Sequence, residues 1–248
     1  MTGSASAGVL YSASGEDLYR IQSAATSSRV TYSGTERLSI SPESKGWRFE
    51  ARARYTRDGP DGKESATARF VQVLQADGSF EDRIDDDPDF LTILNQPFAV
   101  RLDKPTLRDL RTLHGSVPFS ATSPLGAQAV LRGYLHPATG GPIDGRPTAA
   151  VRFEADGAMT GPLPGYSGML VSGTMRMDGT AYYALDDATL LALNVALTLD
   201  ARLSQGHPAV SVPVKIVYRR AIRATASAKT PPPAPLARGA GTVAPATP

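Results

Sequence analysis

The sequence predicts an all-β protein with minor helices: a curved antiparallel half-barrel of long strands, with one or two short helices on its concave side. Three observations carry this. Apolar and polar residues alternate with period two through most of the chain. Asp-Gly pairs and other turn signals punctuate the alternating runs. The runs often reach ~10–14 residues, against an ordinary strand of about five or six. Strands of that length in a meander wrap around something, either a packed helix or an internal cavity.

The elements follow in order. "RVTYSGTERLSIS" alternates Val30, Tyr32 and then Leu38, Ile40. "GWRFEARARYTR" sets Trp47, Phe49, Ala51, Ala53 and Tyr55 on one face and Arg48, Glu50, Arg52 and Arg54 on the other. "TRDGPDGKES" holds two Asp-Gly pairs and predicts a turn into "ESATARFVQVLQ"; "QADGSF" predicts another. At "RIDDDPDF" four aspartates crowd into five positions. Asp87 there can cap a helix with Pro88 at its first position, giving a short helix near 88–95; "KPTLRDLRTLHGS" predicts a second near 105–113. A second β region follows, through "AQAVLRGYLHP", "RPTAAVRFEADGAMTG", "GYSGMLVSGTMRM", "GTAYYALDDATLLALNVALTLDARLS" and "AVSVPVKIVYRRAIRA", with turns at "MDGTA" and "ALDDATL".

These runs divide the chain into a flexible N-terminus over 1–15, the β half-barrel over 16–224 and a disordered Pro/Ala-rich tail over 225–248. At 248 residues there is room for one large β domain. The net charge of +2 gives no global pull toward nucleic acid or membrane. With no cysteine, disulfides, thiolate metal sites and cysteine nucleophiles are excluded. No run of 18 apolar residues predicts a membrane-spanning helix. The opening stretch lacks a charged segment followed by an apolar one, so it does not read as a signal peptide. The chain is expected to be either a mature periplasmic or secreted protein, the preferred reading, or a cytoplasmic one. Charge is uneven along it: Asp77–Asp89 holds seven acids and one arginine, whereas six Lys/Arg and no acid follow Leu203.

The layout resembles the half-barrel proteins of bacterial envelopes, the lipoprotein-carrier (LolA-like) type and related uncharacterised lipoproteins. The stretches that carry the resemblance are "DLYRIQSAATSSRVTYSGTERLSI" into "GWRFEARARY", the mid-chain "FLTILNQPFAVRLD" and the late "GTAYYALDDATLLALNVALTLDARL". It covers most of Gly8–Ala224 as a pattern, without a diagnostic motif. The resemblance implies export and a concave sheet, covered by helices, around an apolar cavity. The chain departs from the lipoproteins in having no cysteine to carry a lipid anchor.

Candidate chemistry is sparse. The aspartate run lacks the alternating spacing, second glycine and distal glutamate of a calcium loop, so strand end and helix cap is the favoured reading. Asp186 and Asp187 fall at a predicted hairpin turn, where adjacent carboxylates diverge. His114, His136 and His207 have no zinc spacing, and no nucleophile elbow, dinucleotide fingerprint or P-loop occurs. No metal, cofactor or catalytic residue is expected. The arginines of "GWRFEARARYTR" lie opposite the aromatics, which disfavours a nucleic-acid stacking platform. The basic "KIVYRRAIRA" is expected either to protect a sheet edge or, with the tail, to touch anionic lipid, lipopolysaccharide or peptidoglycan-linked polymers.

Trp47, Phe49, Tyr55, Phe70, Phe153, Met169, Met175, Met177, Tyr182 and Leu185 are expected on inward faces. They either line an adaptable apolar pocket or fill a solid core. The expected function is non-catalytic: binding or carrying a lipid, acyl chain or other apolar small molecule. The alternative is a structural or interaction protein with a filled core, meeting an envelope protein partner through sheet edges or the basic Pro-rich tail.

Overall fold

The computed structural model describes residues 8–21, 26–44, 46–75, 80–86, 115–122, 130–162, 167–205 and 210–225. They form eleven strands: β1 (Val9–Ile21), β2 (Thr26–Glu43), β3 (Gly46–Gly59), β4 (Gly62–Gln75), β5 (Phe80–Asp85), β6 (Val117–Thr122), β7 (Val130–Ala138), β8 (Thr148–Pro162), β9 (Met169–Ala184), β10 (Leu190–Gln205) and β11 (Val210–Ala224). All belong to one antiparallel sheet in the order β5-β4-β3-β2-β1-β11-β10-β9-β8-β7-β6. The sheet is not closed, and no helix occurs among the described residues. The helices expected near 88–95 and 105–113, and nearly all of the tail over 225–248, lie outside the described residues.

The architecture is two meanders, β1–β5 and β6–β11, joined where the first strand pairs with the last. Tyr11 stands opposite Ala224 and Ile21 opposite Val214. Two expectations change as a result. The N-terminus is not loose up to residue 15, because β1 begins at Val9 and is paired on both sides. The basic "KIVYRRAIRA" protects no edge: β11 runs through the middle of the sheet, and β5 and β6 end the strand order.

Alternation explains which face is buried. In β3, Phe49, Ala51, Ala53 and Tyr55 are buried while Arg52 and Arg54 are exposed. In β10, Leu193, Val195, Leu197, Leu199 and Ala201 are buried on the same principle. The inward side chains of both meanders join in one apolar cluster with Phe153, Met159, Met175 and Met177. Each large side chain fully removed from water contributes about 1.5–3 kcal/mol. Trp47, at the start of β3, is left 37% exposed.

The expected turn at "MDGTA" does not form; β9 runs through it unbroken to Ala184. Gly179 serves the packing instead. A Cβ there would lie 2.4 Å from the tip of the Phe153 ring and 2.3 Å from the Asn194 carbonyl oxygen. The glycine is the gap through which Phe153 lies across β9. The turn at "ALDDATL" does form: Arg146 Nη2 donates to Asp186 at 2.6 Å, and the Asp187 carboxylate accepts from the Thr189 N–H at 2.8 Å.

Candidate functional site

Three charged residues are buried on the inward face among the described residues, Asp17, Glu36 and Arg220, and two of them form a polar group where β1, β2 and β11 meet. Asp17 and Arg220 are both buried. Arg220 Nη1 donates to Asp17 Oδ1 at 2.5 Å. The other carboxylate oxygen accepts from the Tyr32 hydroxyl at 2.6 Å and from Tyr19 at 3.3 Å. The guanidinium also lies 4.5 Å from the Tyr32 ring centre and 5.8 Å from that of Tyr218. Gly15 stands opposite Arg220 in the register, and a Cβ there would meet the arginine side chain at 2.9 Å. Burial pushes the Tyr32 phenol well above its ordinary range, reinforced by the charge of Asp17 and its hydrogen bond.

Beside this group the inward face opens into a concavity of about 400 Å³, lined by Tyr19, Val30, Tyr32, Arg57 and the β3–β4 hairpin from Gly59 to Glu64. Arg57 lies 5.2 Å over the Tyr32 ring and 3.7 Å from the Glu64 carboxylate. The opposite face of the Tyr32 environment is apolar: its ring meets that of Tyr55, 6.0 Å away and within the core cluster. The arrangement is a polar mouth of mixed charge, Arg57 and Lys63 with Asp61 and Glu64, set against an apolar interior.

The ten residues expected to line an apolar cavity divide. Phe49, Tyr55, Phe70, Phe153, Met175 and Met177 are buried together in the core cluster, and Leu185 packs against it. Trp47 and Met169 sit at strand ends, more exposed than these. Tyr182 has the parity of the outward face; Ala181 and Tyr183 on either side are the buried residues of that stretch. None of the ten lines the concavity at the β3–β4 hairpin. Tyr19 and Tyr32 do line it and both donate to Asp17, the partner of Arg220; the sequence singled out none of these four as a site residue. The available signal was an acid and a basic residue at inward parity in otherwise amphipathic strands.

A second cluster has the residue types of acyl-transfer chemistry. Ser116 Oγ is 2.8 Å from His136 Nδ1, and His136 Nε2 is 3.5 Å from Glu154. His136 lies inside β7 rather than in a loop, which brings Ser116 on one side and β8 on the other within reach. A serine nucleophile also needs a cleft and donors placed for an oxyanion. Neither Ser116 nor His136 lines the hairpin concavity or the two troughs on the outward face, one of about 550 Å³ around Ser14, Asp178 and Arg219 and one of about 590 Å³ around Arg37, Arg52 and Arg69.

No protein-family model matches the chain, and no curated protein matches it.

Proposed function

We propose that the protein is a non-catalytic binding protein of the bacterial envelope, periplasmic or secreted, that holds an amphipathic ligand, a lipid or an acyl chain, against the inward face of its sheet. The observation that carries this reading is the polar concavity at the β3–β4 hairpin, where Arg57 and Lys63 stand beside Asp61 and Glu64, open on one side and backed by the apolar core through Tyr32 and Tyr55. An anionic or polar headgroup is met there by Arg57 and the hydroxyl of Tyr19. The chain carbons run toward the core, where each buried methylene contributes about 0.8 kcal/mol. Met175, Met177 and Met159 suit such a role because a methionine side chain adapts its shape at small cost. The likeness in layout to the lipoprotein-carrier type points the same way.

The test is native mass spectrometry of protein purified gently, followed by titration with palmitate. Uptake of one or a few chains, lost on denaturation and weakened about tenfold or more by Arg57→Gln, supports the reading. A bare polypeptide mass that takes up neither palmitate nor phospholipid rejects it in favour of an interaction protein with a filled core.

A further inference from the structure

The outward face of β2, β3 and β4 carries a row of like charge. Arg37 stands directly opposite Arg52, and Arg52 directly opposite Arg69. Like charges facing each other across strands destabilise a sheet. Other rows of three charges mix signs, as in Arg132–Asp156–Arg176 and Arg20–Lys215–Asp200, and the like-charged Glu154–Asp178 is a pair only. No other described row places three like charges on consecutive strands. Arg54 adds a fourth guanidinium two positions along β3.

The neutralising groups are too few for this set. Glu50 accepts from Arg52 Nε at 2.9 Å and from Arg69 Nε at 3.2 Å. Burial pushes the Glu50 carboxyl up, but the hydrogen bonds and charges of Arg69 and Arg52 outweigh it and hold it below its ordinary value. The Asp86 carboxylate accepts from the Arg69 backbone N–H at 3.0 Å. Arg37 donates to the Gly8 carbonyl at 3.1 Å, an uncharged acceptor, and among the described residues no carboxylate pairs with Arg37 or Arg54. These arginines line the trough of about 590 Å³, with Thr35, Thr67 and Leu10 between them. The trough is walled by exposed side chains, that of Arg52 being 70% exposed. Across three strands the row extends roughly 10 Å, two inter-strand steps of ~4.8 Å.

We infer that this row is a docking face for the phosphate groups of an anionic lipid surface. A planar guanidinium binds phosphate through two parallel hydrogen bonds. An open face cannot enclose a single small anion, whereas a surface that repeats its phosphates can engage several guanidinium groups at once. The anion site stands on the strand register alone. The choice of a lipid surface over a soluble polyanion rests on the proposed lipid-binding function, since such a protein must meet a membrane to collect or deliver its ligand.

The test is co-sedimentation of the full chain with vesicles of phosphatidylcholine alone or with ~30% phosphatidylglycerol, at low and physiological salt. Binding is expected only with phosphatidylglycerol and is expected to fall with salt. Each arginine removed near an anionic surface should weaken it about fivefold, so Arg37→Gln/Arg54→Gln should lose about 25-fold. Arg132→Gln/Arg176→Gln, on the mixed-sign row, should lose less than about twofold. Both double variants should retain the parent melting temperature and palmitate uptake, which separates loss of docking from loss of ligand binding. Equal binding to both vesicles, or phosphatidylglycerol binding untouched by Arg37→Gln/Arg54→Gln, overturns the inference. So does capture of inorganic tripolyphosphate without capture of vesicles, which assigns the row to a soluble polyanion.

Discussion

Replacing Asp17 with asparagine removes one charge from the buried group at the junction of β1 and β11 while keeping its shape. Arg220 is then left without its carboxylate, enclosed by the Tyr32 and Tyr218 rings and cut off from water. Breaking a buried ion pair on one side costs about 3–5 kcal/mol, because the remaining charge stays desolvated. At about 2–4 °C per kcal/mol for a domain of this size, melting should fall by about 6–20 °C. Urea unfolding followed by far-ultraviolet circular dichroism measures the loss directly. Asp17→Leu/Arg220→Met/Tyr32→Phe removes both charges and the buried phenol that makes the shorter of the two hydrogen bonds to Asp17. It should come within about 2 kcal/mol of the parent, as replacement of a whole buried polar group by apolar side chains often does. The reasoning is refuted if Asp17→Asn costs under about 1 kcal/mol. It is refuted equally if the triple variant loses as much as its single changes summed.

Two further outcomes follow from the packing and the titrating groups. Gly179→Ala should destabilise by about 1–3 kcal/mol through overpacking, and adding Phe153→Leu should recover only part of it, because the Asn194 carbonyl also crowds the site; thermal unfolding of the single and double variants decides this. Glu50 and Asp187 titrate below their ordinary values, despite burial, through hydrogen bonds from Arg52 and Arg69 and from Thr189 and Arg146 respectively. Their contribution is therefore full above the unfolded carboxylate pKa near ~4 and lost as pH falls through the lower folded value, so Glu50→Gln should flatten the acid limb of a stability–pH curve. At the alkaline end the Tyr11, Tyr32 and Tyr183 phenols are raised chiefly by burial. That contribution is full below ~10 and lost above it. Absorbance at ~295 nm should show these three of the nine tyrosines ionising only as the protein unfolds.

The fold was legible wherever burial follows local alternation. "GWRFEARARYTR" separates into a buried and a charged face because adjacent strand residues point to opposite sides. The "MDGTA" stretch misled because an Asp-Gly pair is a turn signal by local propensity. Here a tertiary demand, space for the Phe153 ring, set the glycine instead. The Asp17–Arg220 pair was out of reach for a related reason. Its members lie 203 positions apart, one in a polar stretch and the other in a basic run that resembles edge protection. Only the pairing of β1 with β11 makes them neighbours. Tyr182 and Tyr183 are adjacent tyrosines, and a one-residue error in parity exchanges the buried one for the outward one.

The union of first and last strands also sets an order of events in folding. Thr225 Oγ1 donates to the Leu10 carbonyl across 215 positions, so the central ladder closes the largest loop available in the described chain. Either meander can form from hairpins between neighbours in sequence. Their fusion must await synthesis of the last strand. Contacts of such long separation slow folding, because loop closure is unfavourable before the contacts form. Until β11 arrives, β1 and β10 each present a bare hydrogen-bonding edge in the middle of the future sheet, the condition in which strands mispair with other chains. The vulnerable interval in the life of this protein therefore lasts until β11 has paired, and its length is set by how quickly fifteen residues find their place between two waiting strands.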